Sequence, residues 1–599
     1  MNAASVPGVW QGLRRWHALD FGSGQVLNFL TTWQAWRQDE QRPERLFFTL
    51  LSPQALAASD VAQLAVLHPS LHELATQLGQ AWRGMLPGVH RLVFDAGRVQ
   101  LTLGFGPAEK LLREIDTAVD HITLAHWPAD DDTALHTLKA LSRLCRLGTR
   151  LTAESGPSSA HLALQQCGFD VQNQDLADSD VQAVFAPNWT PRSRPRSAQH
   201  TDGLPRQALV LGAGLSGSAT AFSLAQRGWQ VRVLDAGAAP GAGASGLPAG
   251  LTAPHVSPDD NVLSRITRAG VRATVQRAAQ LLQAGQDWAP TGVLEHRVEG
   301  KRSLPIGEAW PAQGHEWSTP ASADLIAQAG LDTTAQALWH SLGAWIRPRA
   351  LAHAQLQASG IDVHWDRHVT RLVREGQDWV ALDAQGEALG RAPVLVIAGG
   401  FDTRSLLQHV SPDQAPLPLK PLRGQISMGP LSALPEAAVR QLPPFPVNGH
   451  GSFITGVPMP GDGHKASGES GWYLGSTFER SCTEALLRDE DHAANHARLA
   501  TLLPDLSEPM RQAFALEQVR GWAGLRCTLP DRVPAVGALD AERWPGLHIC
   551  AGMGARGISL SVLAGESIAA QLEGEPLPLA PTLAQHLAAS RFAGSGQPG

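Results

Sequence analysis

The 599-residue sequence contains no long apolar run and few cysteines. Because no stretch of about 18 apolar residues is present, we expect no membrane-spanning helix, and the opening MNAASVPGVWQGLRRW lacks the apolar core of a secretion signal. The five cysteines are scattered, odd in number and without a C-x-x-C pair, which argues against a disulfide framework and a zinc site. We therefore predict a cytoplasmic protein with no metal site and no membrane partner.

The sequence also lacks an excess of positive charge, since its formal net charge is −7. Nucleic-acid binding would have to rest on a local basic patch, and we expect no DNA partner. The segment PRSRPRSAQHTDG (191–203) is one such patch, with Arg192, Arg194 and Arg196. It is typical of a solvated linker, and the alternative is an arm that contacts phosphates.

The most informative pattern in the sequence is a glycine motif at 212–217. Ala208 to Leu211 forms a short apolar run that predicts a buried strand, and Gly212, Gly214 and Gly217 then supply G-x-G-x-x-G at the start of a predicted helix. In such a motif the first glycine permits the turn, the second admits a pyrophosphate and the third allows close helix packing. The pattern predicts a dinucleotide site, with a glycine-rich packing turn as the alternative.

An acidic residue follows this motif at the expected distance. The predicted helix ends at Gly228, and a second apolar strand over Trp229–Leu234 leads into Asp235. An acid roughly 20 residues after the first glycine binds a ribose hydroxyl in dinucleotide-binding folds. Up to this point the motif fits NAD and FAD equally well.

Four segments are predicted along the chain: an α/β domain at 1–190, a linker at 191–206, the nucleotide-binding domain at 207–592 and a flexible tail at 593–599. The first domain rests on strand-like runs at 46–52, 91–95 and 121–127. In the second, 262–285 predicts a helix and Val394–Ala398 a buried strand. The glycine-heavy stretch Val447–Tyr473 predicts a loop, with His450 and His464 facing solvent, and 547–572 repeats the order strand, glycine turn, helix.

The region 207–585 resembles the D-amino-acid-oxidase-like flavoprotein superfamily, which includes glycine and sarcosine oxidases. The resemblance is carried by VLGAGLSGSATAFSLAQRGWQVRVLD, GASGLPAG (243–250), PLRGQIS (421–427), GLRCTLPDRVPAVG (524–537) and GMGARGISLSVLAGE (552–566). It implies FAD as the cofactor, with Ser245 and Gly246 in the loop beside the flavin. It also implies oxidation of an amine next to a carboxylate, for which the flavin accepts hydride.

The resemblance also suggests which residues hold the substrate. Arg526 and Arg556 match positions near the substrate carboxylate, which a guanidinium fork binds well, and each has a structural ion pair as its alternative. Arg423 is a further catalytic candidate, and an anchoring role in its loop is equally compatible with the sequence. The amides of the segment containing Gly552, Gly554 and Gly557 begin a helix and would stabilise negative charge on the reduced flavin.

With an α/β domain in front, the chain is similar to the bifunctional enzymes of tRNA wobble-uridine modification. In them the flavin domain removes the carboxymethyl group from 5-carboxymethylaminomethyl-(2-thio)uridine, and an N-terminal domain methylates the freed amine with S-adenosylmethionine. The expected fold class is therefore α/β: a Rossmann-like methyltransferase-type domain, then an FAD-binding fold with a mixed-sheet substrate subdomain. The expected partner is tRNA with a modified wobble uridine.

The N-terminal domain departs from that family at four places. Two extra residues, Gln25 and Val26, follow the glycine motif; Ser52 and Pro107 each replace an acid; and Ala125 or His126 stands where an aspartate lies by the reacting amine. A site needs its surrounding residues held within about an ångström. We therefore interpret 1–190 as a degenerate methyltransferase fold that no longer uses S-adenosylmethionine.

Two other functions fit the flavin motifs. The first is a free glycine, sarcosine or D-amino-acid oxidase, against which only the leading domain and linker argue. The second is a non-catalytic flavin-binding or tRNA-binding scaffold, which the intact flavin motifs disfavour.

Overall fold

A computed structural model describes residues 8–22, 26–127, 131–154, 159–172, 180–190, 205–298, 304–306, 310, 312–410, 417–461, 466–515 and 518–592. The chain divides into two compact units, one of residues 1–198 with 574–582 and the other of 199–573 with 583–599. The predicted roles of Arg192, Arg194, Arg196 and His464, and the predicted flexible tail, lie outside the described residues.

The described part of the N-terminal region forms one sheet with helices between its strands. Its strands are β1 (Arg15–Phe21), β2 (Arg45–Ser52), β3 (Gly88–Phe94), β4 (Val99–Phe105), β5 (Val119–Leu124), β6 (Cys145–Ala153), β7 (Phe169–Val171) and β8 (Val181–Phe185). Its helices are α1 (Val26–Gln38), α2 (Ala58–Leu67), α3 (His72–Ala81), α4 (Ala108–Arg113), α5 (Asp131–Ser142) and α6 (Ser159–Gln166).

The strand order is β3-β4-β2-β1-β5-β6-β8-β7, with β1 parallel to both β2 and β5. All eight residues of β2 are buried, as expected for a strand with helices on both faces of a parallel sheet. The sequence predictions of strands at 46–52, 91–95 and 121–127 are confirmed by β2, β3 and β5. The sheet is not wholly parallel, because β3 and β8 run antiparallel to their neighbours.

A C-terminal segment completes this unit, which the predicted boundaries did not include. The Arg91 guanidinium donates to the carbonyls of Pro576 and Leu577 at 3.0 and 2.9 Å, and Arg45 lies 3.9 Å from the carboxylate of Glu575. Arg45 and Arg91 are both buried, and their charges require buried acceptors. Residues 574–582 supply part of those acceptors, and the Gly97 carbonyl and the Gln100 side chain supply others.

From residue 205 onward the described residues form 21 further strands. They are β9 (Gln207–Leu211), β10 (Gln230–Leu234), β11 (Gly250–Thr252), β12 (Trp288–Ala289), β13 (Val293–His296), β14 (Thr319–Pro320), β15 (Ala337–His340), β16 (Ala344–Ile346), β17 (Ile361–His364), β18 (Arg371–Glu375), β19 (Asp378–Leu382), β20 (Ala388–Ala392), β21 (Val394–Ile397), β22 (Lys420–Pro430), β23 (Val447–Gly449), β24 (Gly451–Pro460), β25 (Ala466–Gly475), β26 (Glu479–Arg480), β27 (Arg520–Thr528), β28 (Ala535–Ala538) and β29 (Leu547–Ala551).

Helices in the same described part connect these strands and cover their sheets. They are α7 (Leu215–Ala225), α8 (Val262–Leu281), α9 (Ala312–His315), α10 (Ala323–Gln328), α11 (Pro348–Leu356), α12 (Thr403–Val410), α13 (Glu436–Val439), α14 (Asp489–Leu502), α15 (Pro504–Ser507), α16 (Gly557–Glu573) and α17 (Pro581–Leu587). The predicted helix at 262–285 and the predicted strand at Val394–Ala398 are confirmed by α8 and β21.

The nucleotide-binding sheet has the order β17-β10-β9-β21-β29-β28, and all but β28 are parallel. Helix α16 packs closely on α7 and α8 because a glycine lies at each contact. Gly565 of α16 faces α7, and Gly270 of α8 faces α16. A Cβ on Gly565 would lie 2.6 Å from the Ala219 carbonyl carbon, and one on Gly270 would lie 2.2 Å from the Ser559 oxygen. Backbone therefore meets backbone where these three helices cross.

A charged network links α7, α8 and α16. The Glu566 carboxylate accepts from Ser223 at 2.7 Å, Arg227 at 3.0 Å and Arg277 at 2.8 Å. Burial alone would raise the pKa of Glu566, but the two guanidinium groups and the Ser223 hydroxyl lower it to about 2. The network is charged at neutral pH.

A second large sheet, called the substrate-side sheet below, is mixed. Its strand order is β14-β15-β13-β23-β24-β25-β22-β26, and β27 pairs with β22. The prediction that Val447–Tyr473 is a loop is wrong, because this stretch contains β23, β24 and much of β25. Its glycines and prolines are typical of loops, yet its strands pair with one another and β25 also pairs with the distant β22, which together supply the backbone hydrogen bonds. No helix in the described part of the chain is long and apolar enough to cross a membrane.

Candidate active site

The candidate site lies at the carboxyl ends of three neighbouring strands. Strands β9, β21 and β29 are parallel and adjacent, so Gly212, Ala398 and Gly552, which follow them, share one edge of the sheet. Strand β9 leads to its neighbour β10 through α7, while β21 lies on its other side. This reversal of direction creates the crevice in which α/β folds bind ligands.

The three motif glycines are each required by a close approach. Gly212 has a φ of +107°, and a Cβ there would lie 2.6 Å from the Ala398 oxygen. A Cβ on Gly217 would lie 1.8 Å from the Gly212 oxygen, and one on Gly214 would lie 2.9 Å from the Ser245 hydroxyl oxygen. Any side chain at these positions would fill the turn between β9 and α7, so the backbone forms an open cradle at the helix start.

Two polar groups frame that cradle. The Asp235 carboxylate accepts hydrogen bonds from the amides of Ala213 and Gly237, the latter at 2.7 Å, which fixes it beside the glycine turn. The Ser245 hydroxyl accepts from the Leu215 amide at 2.9 Å, at the first residue of α7. A carboxylate for a ribose and amides for a pyrophosphate are the groups that FAD requires, so the residues present fit this cofactor.

The loop that contains Ser245 and Gly246 adjoins β27. A Cβ on Gly246 would lie 3.3 Å from a guanidinium nitrogen of Arg349 and 3.4 Å from the indole nitrogen of Trp522. Trp522 lies on β27 four residues before Arg526, and alternate residues of a strand share a face. The nucleotide cradle and the face of β27 that bears Arg526 are therefore neighbours.

Arg526 is a half-buried cation with no carboxylate partner among the described residues. One of its terminal nitrogens donates to the Ser476 hydroxyl at 3.1 Å and to the Thr477 carbonyl at 3.2 Å, and the guanidinium lies 4.6 Å from the centre of the Phe478 ring. Burial lowers the pKa of Arg526 to about 10. Within the described part of the chain, Arg526 does not form the structural ion pair that the sequence left open.

Arg556 lies on a 3-10 turn before α16, together with Gly554. An isolated bridge between Thr528 and Met553 joins this turn to the end of β27. Burial, and then the like charge of Arg532, lower the pKa of Arg556, and within the described ranges it forms no ion pair. The turn therefore carries a second cation that no acid of the described ranges neutralises.

The glycines before α16 also lie where the backbone is left-handed or where neighbouring atoms leave no room for a side chain. Gly552 has a φ of +82°, and a Cβ there would lie 2.6 Å from a Leu529 methyl carbon; Gly554 has a φ of +56°. A Cβ on Gly557 would lie 4.0 Å from a methyl carbon of Leu215, the first residue of α7. The starts of α7 and α16 are thus adjacent, as the repeated strand, turn and helix pattern predicted.

Arg423 is placed differently from the other two candidate arginines. It is 1% exposed, its guanidinium contacts Asp491 at 2.7 Å and Gln425 at 3.0 Å, and it donates to the Leu486 carbonyl. All of these partners belong to the protein. These contacts support the anchoring role, the second of the two that the sequence position of Arg423 allowed, and its catalytic role stays a prediction.

Several residues beside Arg526 were missed at the sequence level. Ser476, Thr477 and Phe478 follow β25, and Gly424 lies beneath the guanidinium, where a Cβ would be 2.1 Å from a terminal nitrogen of Arg526. No local pattern singles out these positions. Only the pairing of β22 with β26 and β27 brings them together.

The corresponding edge of the N-terminal sheet carries different groups. Ser52 ends β2 and donates its hydroxyl to the Gln54 carbonyl at 2.9 Å, while Pro107 precedes α4. Ala125, after β5, is buried and donates its amide to Phe21, and the exposed His126 lies 3.7 Å from Glu154. Of the predicted two-residue insertion, Gln25 lies outside the described residues.

One acid at this edge escaped the sequence prediction. Asp20 is buried near the end of strand β1. Its carboxylate accepts a hydrogen bond from the side-chain amide of Asn28 at 2.7 Å, which ties the strand to the start of α1. The D-x-G-x-G spacing of Asp20, Gly22 and Gly24 is a signal that would have found it.

Two family models match the chain. An FAD dependent oxidoreductase model covers residues 207–571, more than half of the sequence. An S-adenosyl-L-methionine-dependent methyltransferase model covers residues 69–179. The chain is an FAD-dependent oxidoreductase that carries a methyltransferase-like unit, and the predictions of the α/β fold class and of FAD as cofactor are confirmed.

Full-length relatives define the family more narrowly. A Polaromonas species has a protein named tRNA 5-methylaminomethyl-2-thiouridine biosynthesis bifunctional protein MnmC that is 43% identical, over 98% of this chain and 92% of the relative. A protein of the same name from Paracidovorax citrulli is 44% identical, over 99% and 94%. The chain belongs to the MnmC family, as the sequence resemblance predicted.

Among solved structures, glycine oxidase from Bacillus cereus is 21% identical and aligns with a TM-score of 0.48, over 61% of this chain and 95% of that protein.

Proposed function

We propose that the chain oxidises 5-carboxymethylaminomethyl-(2-thio)uridine at the wobble position of tRNA and leaves 5-aminomethyl-(2-thio)uridine. Membership of a family whose relatives are named for tRNA 5-methylaminomethyl-2-thiouridine biosynthesis supports this substrate. The observation that carries the proposal is Arg526, a half-buried guanidinium with no carboxylate partner among the described residues and only uncharged acceptors for its hydrogen bonds. A substrate that ends in a carboxylate supplies the missing charge.

The residues around Arg526 explain how it would hold that carboxylate. The Ser476 hydroxyl and Thr477 carbonyl accept from one side of the guanidinium, which fixes its orientation and leaves its other donors for a ligand. Burial strengthens the ion pair because little water competes for either charge. Arg526 thus positions the carbon between nitrogen and carboxylate, while Arg556 and the start of α16 add positive potential.

When bound, FAD supplies a two-electron acceptor for the C–H bond next to the nitrogen. Loss of hydride from that carbon turns the C–N bond into an imine. Addition of water then breaks this bond and releases the carboxymethyl unit as an aldehyde acid, with the amine left on the nucleoside. No residue of the protein needs to form a covalent bond with the substrate, and the chain's task is to bind, orient and exclude water.

The proposal is tested by incubating the protein with tRNA that carries the carboxymethylaminomethyl group and analysing its nucleosides by mass spectrometry. We expect that nucleoside to be replaced by the aminomethyl form. Arg526→Gln is expected to lower kcat/KM about a hundredfold or more while FAD is retained, because a buried charge pair contributes about 3 kcal/mol. Val439→Ala, an exposed substitution, serves as the matched control. An unchanged nucleoside profile with the wild-type protein would refute the proposal.

For the N-terminal unit we propose the degenerate interpretation, in which no methyl group is transferred. Its support is the set of groups at the sheet edge: Ser52 has a hydroxyl bonded to its own loop, and Ala125 offers no acid. Adding S-adenosylmethionine to the same assay is expected to leave the aminomethyl nucleoside unmethylated. Appearance of the methylaminomethyl form would overturn this part.

The two rival functions are not favoured. The relatives align along 98% and 99% of the chain, so the similarity includes the leading unit that a free amino-acid oxidase would not need. A non-catalytic scaffold is set aside because the chain belongs to an oxidoreductase family.

A further inference from the structure

Phe478 is a large aromatic side chain that is 52% exposed, next to the half-buried Arg526 of the candidate site. Phenylalanine on a protein surface is unremarkable when isolated. This ring, however, lies 4.6 Å from the guanidinium of Arg526, so one of its sides is fixed by a residue of the site. The exposed remainder of the ring borders the place where a ligand of Arg526 would enter.

The position of Phe478 depends on a glycine in the neighbouring strand. Strand β22 pairs with β26 so that Arg423 is opposite Glu479, which sets Phe478 near Gly424. A Cβ on Gly424 would lie 2.1 Å from a terminal nitrogen of Arg526 and 2.7 Å from the Thr477 carbonyl oxygen. The guanidinium therefore occupies the space above Gly424, and the Phe478 ring lies against it.

We propose that Phe478 stacks on the pyrimidine base of the substrate nucleoside while Arg526 binds the carboxylate at the far end of the same substituent. This inference rests on the function proposed above and adds the residue that recognises the base. In the substrate, two carbons and a nitrogen separate the base from the carboxylate, so the two groups need receptors that are close neighbours. Arg526 and Phe478 are such neighbours, and aromatic side chains are the usual receptors for an unstacked base.

Two exposed leucines belong to the segment held by Arg423, on the opposite face of β22 from Arg526, and so offer no apolar surface beside the site. Leu486 and Leu487 are each 59% exposed, but the Leu486 carbonyl is held by Arg423, and a Leu487 methyl carbon lies 2.9 Å from where a Gly521 Cβ would be. Their segment is therefore anchored to β22 and β27 and not extended toward a partner. An apolar protein partner that covered this face would bury the charge of the half-buried Arg526 without pairing it, which is costly.

The test separates recognition of the base from recognition of the carboxylate. Binding is measured for two anticodon stem-loops that differ only at the wobble uridine, one carrying the carboxymethylaminomethyl group and one unmodified. Phe478→Ala is expected to weaken both complexes by about tenfold, since stacking on one base contributes this much or more. Arg526→Gln is expected to weaken only the modified complex. Phe478→Trp should restore the affinity, and Val439→Ala should change neither complex.

Each outcome decides the inference. It is overturned if Phe478→Ala binds both stem-loops as the wild type does, or if it weakens only the modified one. It is also overturned if the variant changes the sedimentation of the protein without changing RNA affinity, which would assign the ring to a protein contact. Flavin content and thermal unfolding of each variant report folding independently. A wild-type protein that binds both stem-loops but leaves the modified nucleoside intact would refute the proposed function alone.

Discussion

The carboxyl edges of the two largely parallel sheets are built alike, each with a glycine turn after its first strand, but they carry different polar groups. In the nucleotide-binding sheet the turn after β9 is so tight that Gly212 and Gly217 admit no side chain, and the carboxylate of Asp235 is bonded to two amides beside it. In the N-terminal sheet the turn after β1 begins at Gly22, where a Cβ would meet no described atom within 4 Å.

The difference extends to the residue that follows the second strand of each sheet. Asp235 offers a carboxylate, whereas Ser52 offers a hydroxyl whose hydrogen is already donated to the Gln54 carbonyl. The strands of both sheets are nevertheless paired in a regular order, and their central strands are buried. A parallel sheet is specified by many apolar residues, but its binding edge depends on a few polar ones, so the fold can outlast the site.

The largest contrast is expected for alanine at the two glycine turns. Gly217→Ala places a Cβ 1.8 Å from a backbone oxygen, which no side-chain movement relieves. We expect a loss of roughly 3 kcal/mol in the free energy of unfolding and loss of bound FAD. Gly22→Ala should cost about 1 kcal/mol, mainly from its φ of +87°. Thermal unfolding and flavin absorbance measure both, and equal effects would remove the contrast.

Glu566→Gln tests whether the nucleotide-binding unit depends on its buried charges. It leaves Arg227 and Arg277 without their shared carboxylate, and we expect a loss of about 3 kcal/mol near neutral pH. Because the pKa of Glu566 is lowered to about 2 from 4.5, its contribution is fully present above pH 4.5 and is lost as the pH falls toward 2. Denaturant unfolding at several pH values should show the difference between variant and wild type shrinking over that range. A constant difference would contradict this assignment.

The smallest effect is expected from exchanging the polar groups at the ends of the second strands. Asp235→Asn should weaken FAD binding about tenfold, since a hydrogen bond to a charged group contributes about 1.5 kcal/mol. Ser52→Asp should raise affinity for S-adenosylmethionine by less, roughly threefold, because one restored acid does not rebuild the rest of the edge. Titration calorimetry measures both. Tight S-adenosylmethionine binding by the wild-type protein would show that this edge is more complete than its residues indicate.

Local patterns predicted the parts of the fold that depend on neighbours in sequence. The G-x-G-x-x-G turn, its strand and helix, and Asp235 all lie within one short segment, so spacing alone was informative. The strands within Val447–Tyr473 were missed because glycine and proline content pointed to a loop, although β23, β24 and β25 pair with one another and β25 also joins the distant β22.

The candidate site, too, could be predicted only in part from local sequence patterns. Arg526 was found through its motif, yet its freedom from an ion pair could not be read from sequence because any acid in the fold might have paired with it. The contact between Arg526 and Phe478 and the need for glycine at Gly424 arise only from the register of β22 with its neighbours.

The segment 574–582, which completes the N-terminal unit, has a consequence for how the protein is made. Arg45 and Arg91 are among the first hundred residues to be synthesised, while their acceptors at Glu575, Pro576 and Leu577 are among the last. During translation Gly97 and Gln100 are available early as acceptors for these arginines, but the remaining acceptors arrive only when almost the entire chain has been made. A gene cut at the linker would therefore yield an N-terminal fragment in which Arg45 and Arg91 lack part of their acceptors, and a peptide of residues 574–582 is expected to stabilise it.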